Sequence, residues 1–415
     1  MNHLVIKNVG PIKDINIELK RFNFIIGPQS SGKSTIAKIF STCQWIEKEV
    51  ATTYDEKSVD SAESFRNLVE NFHKMNGYFK KDSYINYETD VITIHYEVEN
   101  FFIKLKDKTL YRRLKICYIP SERNMITLPE LQSLELKQTN LRSFLFDLFS
   151  AREYFDTSNK TEILNLGVKY YYDKDETTYK DRIEHITGEL YKIPLYSASS
   201  GLQSIVPLLL ILQYYTEQYY IDYNSKTSFE FDDKKRKLGS KLVREYIIDR
   251  IKRDSSDRDI LKLIEQFNKG LNTGNHEYMQ WYEEYIRELN RLTVPYRTKF
   301  IIEEPEQNLY PSTQLGLIES LVSLCNDEKK HGFTITTHSP YIISFLNILI
   351  LRHYKNINGK ANIDPNCLAV FAVQDGGCYD LIQENKSTGY FSVNTDDLTE
   401  AMQDLFSEYI ELKKL

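Results

Sequence analysis

Lys33 and Ser34 close a G-x-x-x-x-G-K-S spacing that opens at Gly27 and runs through Pro28, Gln29, Ser30, Ser31 and Gly32, with Thr35 next in line. Glycines at those two places let backbone N–H groups curl around phosphate oxygens at the positive end of a helix. In such a loop the Lys33 ammonium reaches the β- and γ-phosphates of ATP, and the Ser34 hydroxyl ligates Mg²⁺. The flanks agree: Phe22, Phe24, Ile25 and Ile26 form an apolar strand before the loop, and Thr35 to Phe40 starts a helix after it.

A second constellation supplies acids. The run Phe300, Ile301, Ile302 reads as a buried strand ending in Glu303 and Glu304, just before Pro305. Open α/β sheets bind ligands at the carboxyl ends of their strands, and successive strand residues point to opposite sides. The two carboxylates therefore have different expected jobs. Glu303 holds Mg²⁺ through water, while Glu304 orients and polarises the attacking water, because phosphoryl transfer needs positioning and charge neutralisation.

His338 follows the β-branched run Phe333 to Thr337 within Thr-Thr-His-Ser-Pro. A lone histidine is usually structural. One at the end of a strand, after the two acids, is placed to hydrogen-bond a γ-phosphate and report its presence.

Ser199, Ser200, Gly201 and Gln203 lie in SASSGLQS, directly ahead of the apolar run Ile205 to Leu212. A serine-glycine turn opening a helix offers N–H donors and a positive terminus to an anion, and it would equally serve as an ordinary helix cap. With the phosphate loop, the acids and the histidine, this segment resembles the ABC-type ATPase heads of the SMC, RecF and OLD-like group, whose signature motif has the pattern S-S-G-x-Q. The resemblance implies an α/β P-loop ABC-type ATPase head with an antiparallel β subdomain and helical inserts. It further implies that the signature of one subunit caps the γ-phosphate held by another, with Pro305 to Leu309 as the D-loop at the interface of a homodimer or higher oligomer.

Two departures from the family pattern stand out. The segment Tyr118 to Arg123, YIPSER, falls where the family places a glutamine near Mg²⁺ and the attacking water; Glu122 and Arg123 are the polar groups available. Gln29 stands where related heads often carry asparagine, a conservative exchange.

Composition sets the outer bounds. A chain of 415 residues, 41% hydrophobic and 13% aromatic, can build a large core over several domains. Neither Ile205 to Leu212 nor Tyr341 to Leu351 reaches the roughly 18 apolar residues of a membrane span. The five cysteines, Cys43, Cys117, Cys325, Cys367 and Cys378, lack metal or redox spacing, and no signal peptide precedes Leu4; both suit a cytoplasmic protein. A net charge of −6 argues against a protein coating DNA with its whole surface. The basic stretch Lys234, Lys235, Arg236, Lys237, Lys241, Arg244, Arg250, Lys252 and Arg253, interleaved with acids, leaves a local DNA contact and a protein contact open.

The expected organisation is a first lobe over 1–124, a helical insert over 125–194, the signature segment 195–220, a second helical insert over 221–296, a second lobe over 297–380 and a C-terminal helical segment over 381–415. Leu4, Ile6 and Val9 read as one strand, Ile15, Ile17 and Leu19 as another, and Val91 to Lys106 as a hairpin turning near Glu99. Ile46 to His73 reads as helix. The inserts are too short for a long coiled-coil arm, and the stretch after His338 leaves little room for a fused nuclease. That layout resembles the stand-alone ATPase subunits of bacterial anti-phage defence pairs of the PARIS and Septu types, which implies a separate effector partner such as a nuclease. A RecF-like DNA-repair clamp, an ABC transporter cassette and an ATP-binding scaffold with little turnover are the alternatives.

Overall fold

The computed structural model describes residues 2–53, 59–128, 137–177, 179–188, 190–225, 233–254, 259–326 and 329–413. The chain opens with the hairpin β1 (Asn2–Val9) and β2 (Ile12–Leu19), whose alternating Leu4, Ile6, Ile15 and Ile17 are buried on one face. Next come β3 (Phe22–Ile26), α1 (Lys33–Thr53), α2 (Ala62–His73), β4 (Phe79–Glu88), β5 (Ile92–Tyr96), β6 (Phe101–Leu105) and β7 (Leu114–Ile119). Strands β2, β1, β4, β5 and β6 form, in that order, an antiparallel sheet, with β5 and β6 as the expected hairpin. The segment Ile46 to His73 is not one helix: α1 stops at Thr53, and Ser61 caps a separate α2 by accepting from the Ser64 amide.

The middle of the chain holds α3 (Asn140–Arg152), β8 (Thr161–Glu162), β9 (Val168–Tyr172), β10 (Asp181–His185) and β11 (Lys192–Pro194), then α4 (Ser200–Gln213) and α5 (Tyr219–Ser225). The expectation of a helical insert over 125–194 is corrected here. Among the described residues that segment has one α-helix and a four-stranded antiparallel sheet, β11-β10-β9-β8. Its tyrosines disguised the strand pattern: Tyr170 is wholly buried, which a polar reading of tyrosine misses, and its hydroxyl is satisfied by Asp181 at 2.6 Å. Among its described residues the second insert, 221–296, holds α6 (Asp233–Val243), α7 (Asp249–Asp254), α8 (Ile260–Asn272) and α9 (His276–Thr293). Ile247, Ile248, Ile251, Leu263 and Phe267 give it a small core of its own.

The second lobe supplies β12 (Arg297–Glu303), α10 (Pro311–Cys325), β13 (Gly332–Thr337), α11 (Pro340–Tyr354), β14 (Leu368–Gln374) and β15 (Gly377–Asp380). Segment 381–415, expected to be helical, begins instead with the two-stranded β16 (Ile382–Asn385) and β17 (Tyr390–Val393) before α12 (Asp396–Leu412). Asn347 of α11 holds β17 through both main-chain groups of Val393, which fixes this ribbon against the lobe.

Strands β14, β3, β13, β12 and β7 form a parallel sheet with β15 antiparallel at one edge. They are near-continuous apolar runs because both faces are covered. Within β12, Ile301 joins the core shared with α1 and the antiparallel sheet, whereas Phe300 and Ile302 join the opposite core shared with α3, α4, α10 and α11. No helix among the described residues is long and apolar enough to cross a membrane.

Candidate active site

Register brings the carboxyl ends of four strands side by side. Ile26 of β3 pairs with Thr337 of β13, Thr336 with Glu303 of β12, and Ile302 with Ile119 of β7. The loops that follow border a cleft of about 520 Å³, with Gln29, Ser30, Gly32, Lys33, Ser34 and Thr35 on one side and Glu303, Glu304 and His338 on the other.

The loop after β3 depends on its glycines. A Cβ at Gly27 would lie 2.2 Å from the Val373 carbonyl oxygen, and Gly32 has φ 109°; neither place accepts another residue without strain. Lys33 donates from Nζ to the carbonyl oxygens of Gly27 (2.9 Å) and Pro28 (2.8 Å) and lies 3.3 Å from His338 Nδ1. Burial lowers the Lys33 pKa, opposed by the charges of Glu304 and Glu306. Ser31 Oγ is buried without a hydrogen-bond partner, an orphaned group in a loop of the phosphate-binding kind.

Ser34, at the first turn of α1, donates from Oγ to Glu303 Oε2 at 3.0 Å, and the Tyr118 hydroxyl donates to Glu303 Oε1. Glu303 is 3% exposed, and burial raises its pKa against the charge of Lys38 and these two hydrogen bonds. Hydroxyl and carboxylate thus converge beside the loop, which fits Mg²⁺ held by few protein ligands and completed by phosphate and water. The described residues offer no cluster of three or more His, Cys, Asp or Glu that would hold a metal unaided.

Glu304 turns out of the strand at φ 45°, and its amide donates to the Thr336 carbonyl oxygen at 2.8 Å. Its carboxylate is 3.5 Å from His338 Nε2. The left-handed backbone sends this carboxylate into the cleft while Glu303 stays buried, so adjacent acids meet different surroundings. His338 is itself fixed by its backbone N–H, which donates to Glu306 Oε1 at 2.6 Å.

The residues expected to form a signature are elsewhere. Ser199 caps α4 by accepting from the Leu202 amide, and Ser199 and Ser200 are solvent-exposed. Gly201 packs on the loop after the acids, where a Cβ would lie 2.9 Å from the Asn308 carbonyl oxygen. Gln203, expected among the phosphate-facing residues, turns its amide back to the carbonyl oxygens of Tyr196 (2.7 Å) and Ala198 (2.9 Å) and braces the turn. None of Ser199, Ser200, Gly201 and Gln203 borders the cleft of its own chain.

Several site groups escaped the sequence reading. Of YIPSER, Ser121 borders the cleft, Tyr118 holds Glu303, and Arg123 is buried under the acids; Glu122 points to the surface, 3.9 Å from Lys74. Lys38, four residues after Ser34, shares its helix face, a spacing that was legible. Pro11 and Tyr78 also line the cleft, and only folding brings them there. In the basic stretch, Lys241 donates to the Thr53 carbonyl oxygen and Arg250 pairs with Glu284 at 2.6 Å, while the side chains of Lys234 to Lys237 lie outside the described residues.

No curated protein matches this sequence. A family model described as an AAA ATPase domain matches residues 297–343, the stretch from β12 to the start of α11 that carries Glu303, Glu304 and His338. Among solved structures, the chain is similar to the SMC head domain from Thermotoga maritima at 10% identity and TM-score 0.37, over 92% of this chain and 98% of that one. It is also similar to the recombination mediator protein RecF, at 12% identity and TM-score 0.31, over 91% of this chain and 97% of that one. A dimeric bacterial ABC transporter cassette is similar at 12% identity and TM-score 0.32, over 90% of this chain and 95% of that one. The strand order, the loop between β3 and α1 and the family match together describe a mixed α/β fold with a P-loop ATPase-type domain.

Proposed function

We propose that this protein is an ATP-binding and hydrolysing switch that pairs with a second copy through its nucleotide sites and passes its state to a separate effector of nuclease type in anti-phage defence. One observation carries the catalytic part: Lys33, Ser34, Glu303, Glu304 and His338 meet at one cleft, while the exposed Ser199 and Ser200 stand outside it on the same chain. A cleft open where a γ-phosphate would sit, and a serine-capped helix start facing solvent, are complementary halves of a site closed by two copies.

In this reading the P-loop N–H groups and Lys33 hold the β- and γ-phosphates, and Ser34 and Glu303 would hold Mg²⁺, which would neutralise phosphate charge. Glu304 orients a water for in-line attack on the γ-phosphorus and takes up its proton; the bond to the bridging oxygen breaks, ADP leaves with that electron pair and phosphate is released. His338, between Lys33 and Glu304, hydrogen-bonds the γ-phosphate oxygens. Ser199, Ser200 and Gly201 of the second copy donate to the same phosphate, with Gln203 shaping their turn. Control of an effector rests on the resemblance in layout to the ATPase subunits of defence pairs, and the helical insert 221–296 is the segment assigned to that contact.

The test is the solution mass of the Glu304→Gln protein with and without ATP and Mg²⁺. An ATP-dependent doubling is expected; a monomer that stays a monomer while binding ATP removes the shared site. DNA binding that rises with ATP and falls with salt would instead favour a DNA clamp.

A further inference from the structure

The second half of α12 stands clear of the body of the chain. Every residue from Asp404 to Lys413 is exposed, although large apolar side chains are frequent there. Leu405, Phe406, Tyr409 and Leu412 are 63%, 67%, 56% and 61% exposed. Near the start of the helix, by contrast, Leu398 packs on the core that α10 and α11 share. A contiguous exposed apolar patch marks an interaction surface, and so short a stretch of helix is marginal in water without one.

The spacing of the patch suits a second helix. Leu398, Met402, Leu405, Tyr409 and Leu412 follow one another at intervals of 4, 3, 4 and 3 residues. That is the alternation of a coiled-coil seam, with leucine at the three d positions and Met402 and Tyr409 at a. Leucine at d is the choice of parallel two-stranded coils.

The flanking charges favour a second copy of this chain. Glu408 stands at g, and Lys413, five residues on, stands at the following e. In a parallel pair the g residue of one helix meets the next e residue of the other, so Glu408 of each copy would meet Lys413 of the other. An antiparallel pair sets g against g and e against e, which places like charges face to face. Among the described residues neither group is paired with an opposite charge in its own chain; Lys413 Nζ lies over the Tyr409 ring, 5.4 Å from its centroid.

We propose that the second half of α12 is a docking surface for a second copy of the chain, the two helices pairing in parallel through Leu405, Tyr409 and Leu412, with Phe406 packing beside the seam. The contact shares no residue with the P-loop cleft and needs no nucleotide, so it does not depend on the ATPase reading. Two heptads bury little surface. The copies should therefore pair through α12 with a dissociation constant on the order of 100 μM and stay apart at low micromolar concentration.

The experiment is sedimentation equilibrium of the full chain carrying Lys33→Ala, without nucleotide, from about 10 to about 500 μM. A monomer–dimer equilibrium is expected, at least tenfold weaker in Leu405→Asp/Leu412→Asp. Glu408→Lys and Lys413→Glu, each added alone, should weaken pairing by about threefold or more, because each opposes like charges. An equimolar mixture of these two variants restores opposite charges at both places and should return to within about twofold of the parent. All these positions are exposed, so the variants should fold, which circular dichroism checks. A chain monomeric throughout assigns the face to a different partner and overturns the proposal. Pairing unchanged in the double aspartate variant, or a mixture no tighter than its components, overturns it as well. A mixture tighter than the parent would mean antiparallel helices and also overturns it.

Discussion

Arg123 donates from Nη2 to the Glu304 carbonyl oxygen at 2.7 Å from a position with no solvent exposure. The same guanidinium donates to the carbonyl oxygens of Glu303 (2.7 Å) and Ser204 (3.1 Å). One side chain therefore ties the end of β12, where the acids emerge, to Ser204 near the start of α4. Burial lowers its pKa to about 10, which leaves it charged at neutral pH.

Replacing Arg123 by Met should destabilise the fold by about 3 kcal/mol or more, since several buried carbonyl oxygens lose their donor together. Urea denaturation measures this. A change below about 1 kcal/mol would show that those oxygens find other donors.

Glu304→Gln should keep ATP affinity within a few-fold while turnover falls by about 10²–10⁴, the usual contribution of a positioned base. Lys33→Ala should instead lose binding. Equilibrium binding of a fluorescent ATP analogue alongside phosphate release separates the two, and equal effects on both quantities in both variants would refute the division of roles.

Ser199→Arg places a bulky cation at an exposed helix start that touches nothing in its own cleft. ATP binding to the monomer should persist, while assembly and turnover should drop at least tenfold. Wild-type turnover in this variant would contradict a signature acting on a second copy.

His73 is 1% exposed, neither ring nitrogen has a partner, and its ring packs on Tyr118 with centroids 4.9 Å apart. Burial, helped by the charge of Lys38, pushes its pKa down to about 3. An unfolded histidine titrates near pH 6.5, so the unfolded chain takes up a proton below that pH while the folded one does not. The stability contribution is complete above pH 6.5 and shrinks as pH falls toward 3, by about 2 kcal/mol between pH 6.5 and 5. His73→Phe should flatten that slope in denaturation series; an unchanged slope would assign it to other groups.

The short motifs were legible because each holds its chemistry in a few consecutive residues. Gly27 to Thr35 needs only a strand before it and a helix after it, and Phe300 to Glu304 announces a buried strand ending in carboxylates. The sheet over residues 161–194 was not legible, because tyrosines that bury a ring and satisfy a hydroxyl blur the apolar-polar alternation that marks a strand. Arg123 was legible only as a polar group of YIPSER, and its role was not, because its partners Ser204, Glu303 and Glu304 are 81, 180 and 181 residues away.

The sequence by itself determined the chemistry on offer, a phosphate loop, two acids, a histidine and a serine-capped helix, because backbone conformation and side-chain type act over short spans. Tertiary structure decided which of these share a cleft. Parallel pairing of β3, β13, β12 and β7 aligned their carboxyl ends, so that Ser34 meets Glu303, and His338 stands between Lys33 and Glu304. Ser199, Ser200, Gly201 and Gln203 lie outside that cleft, with Gly201 packed on Asn308, a contact between distant segments.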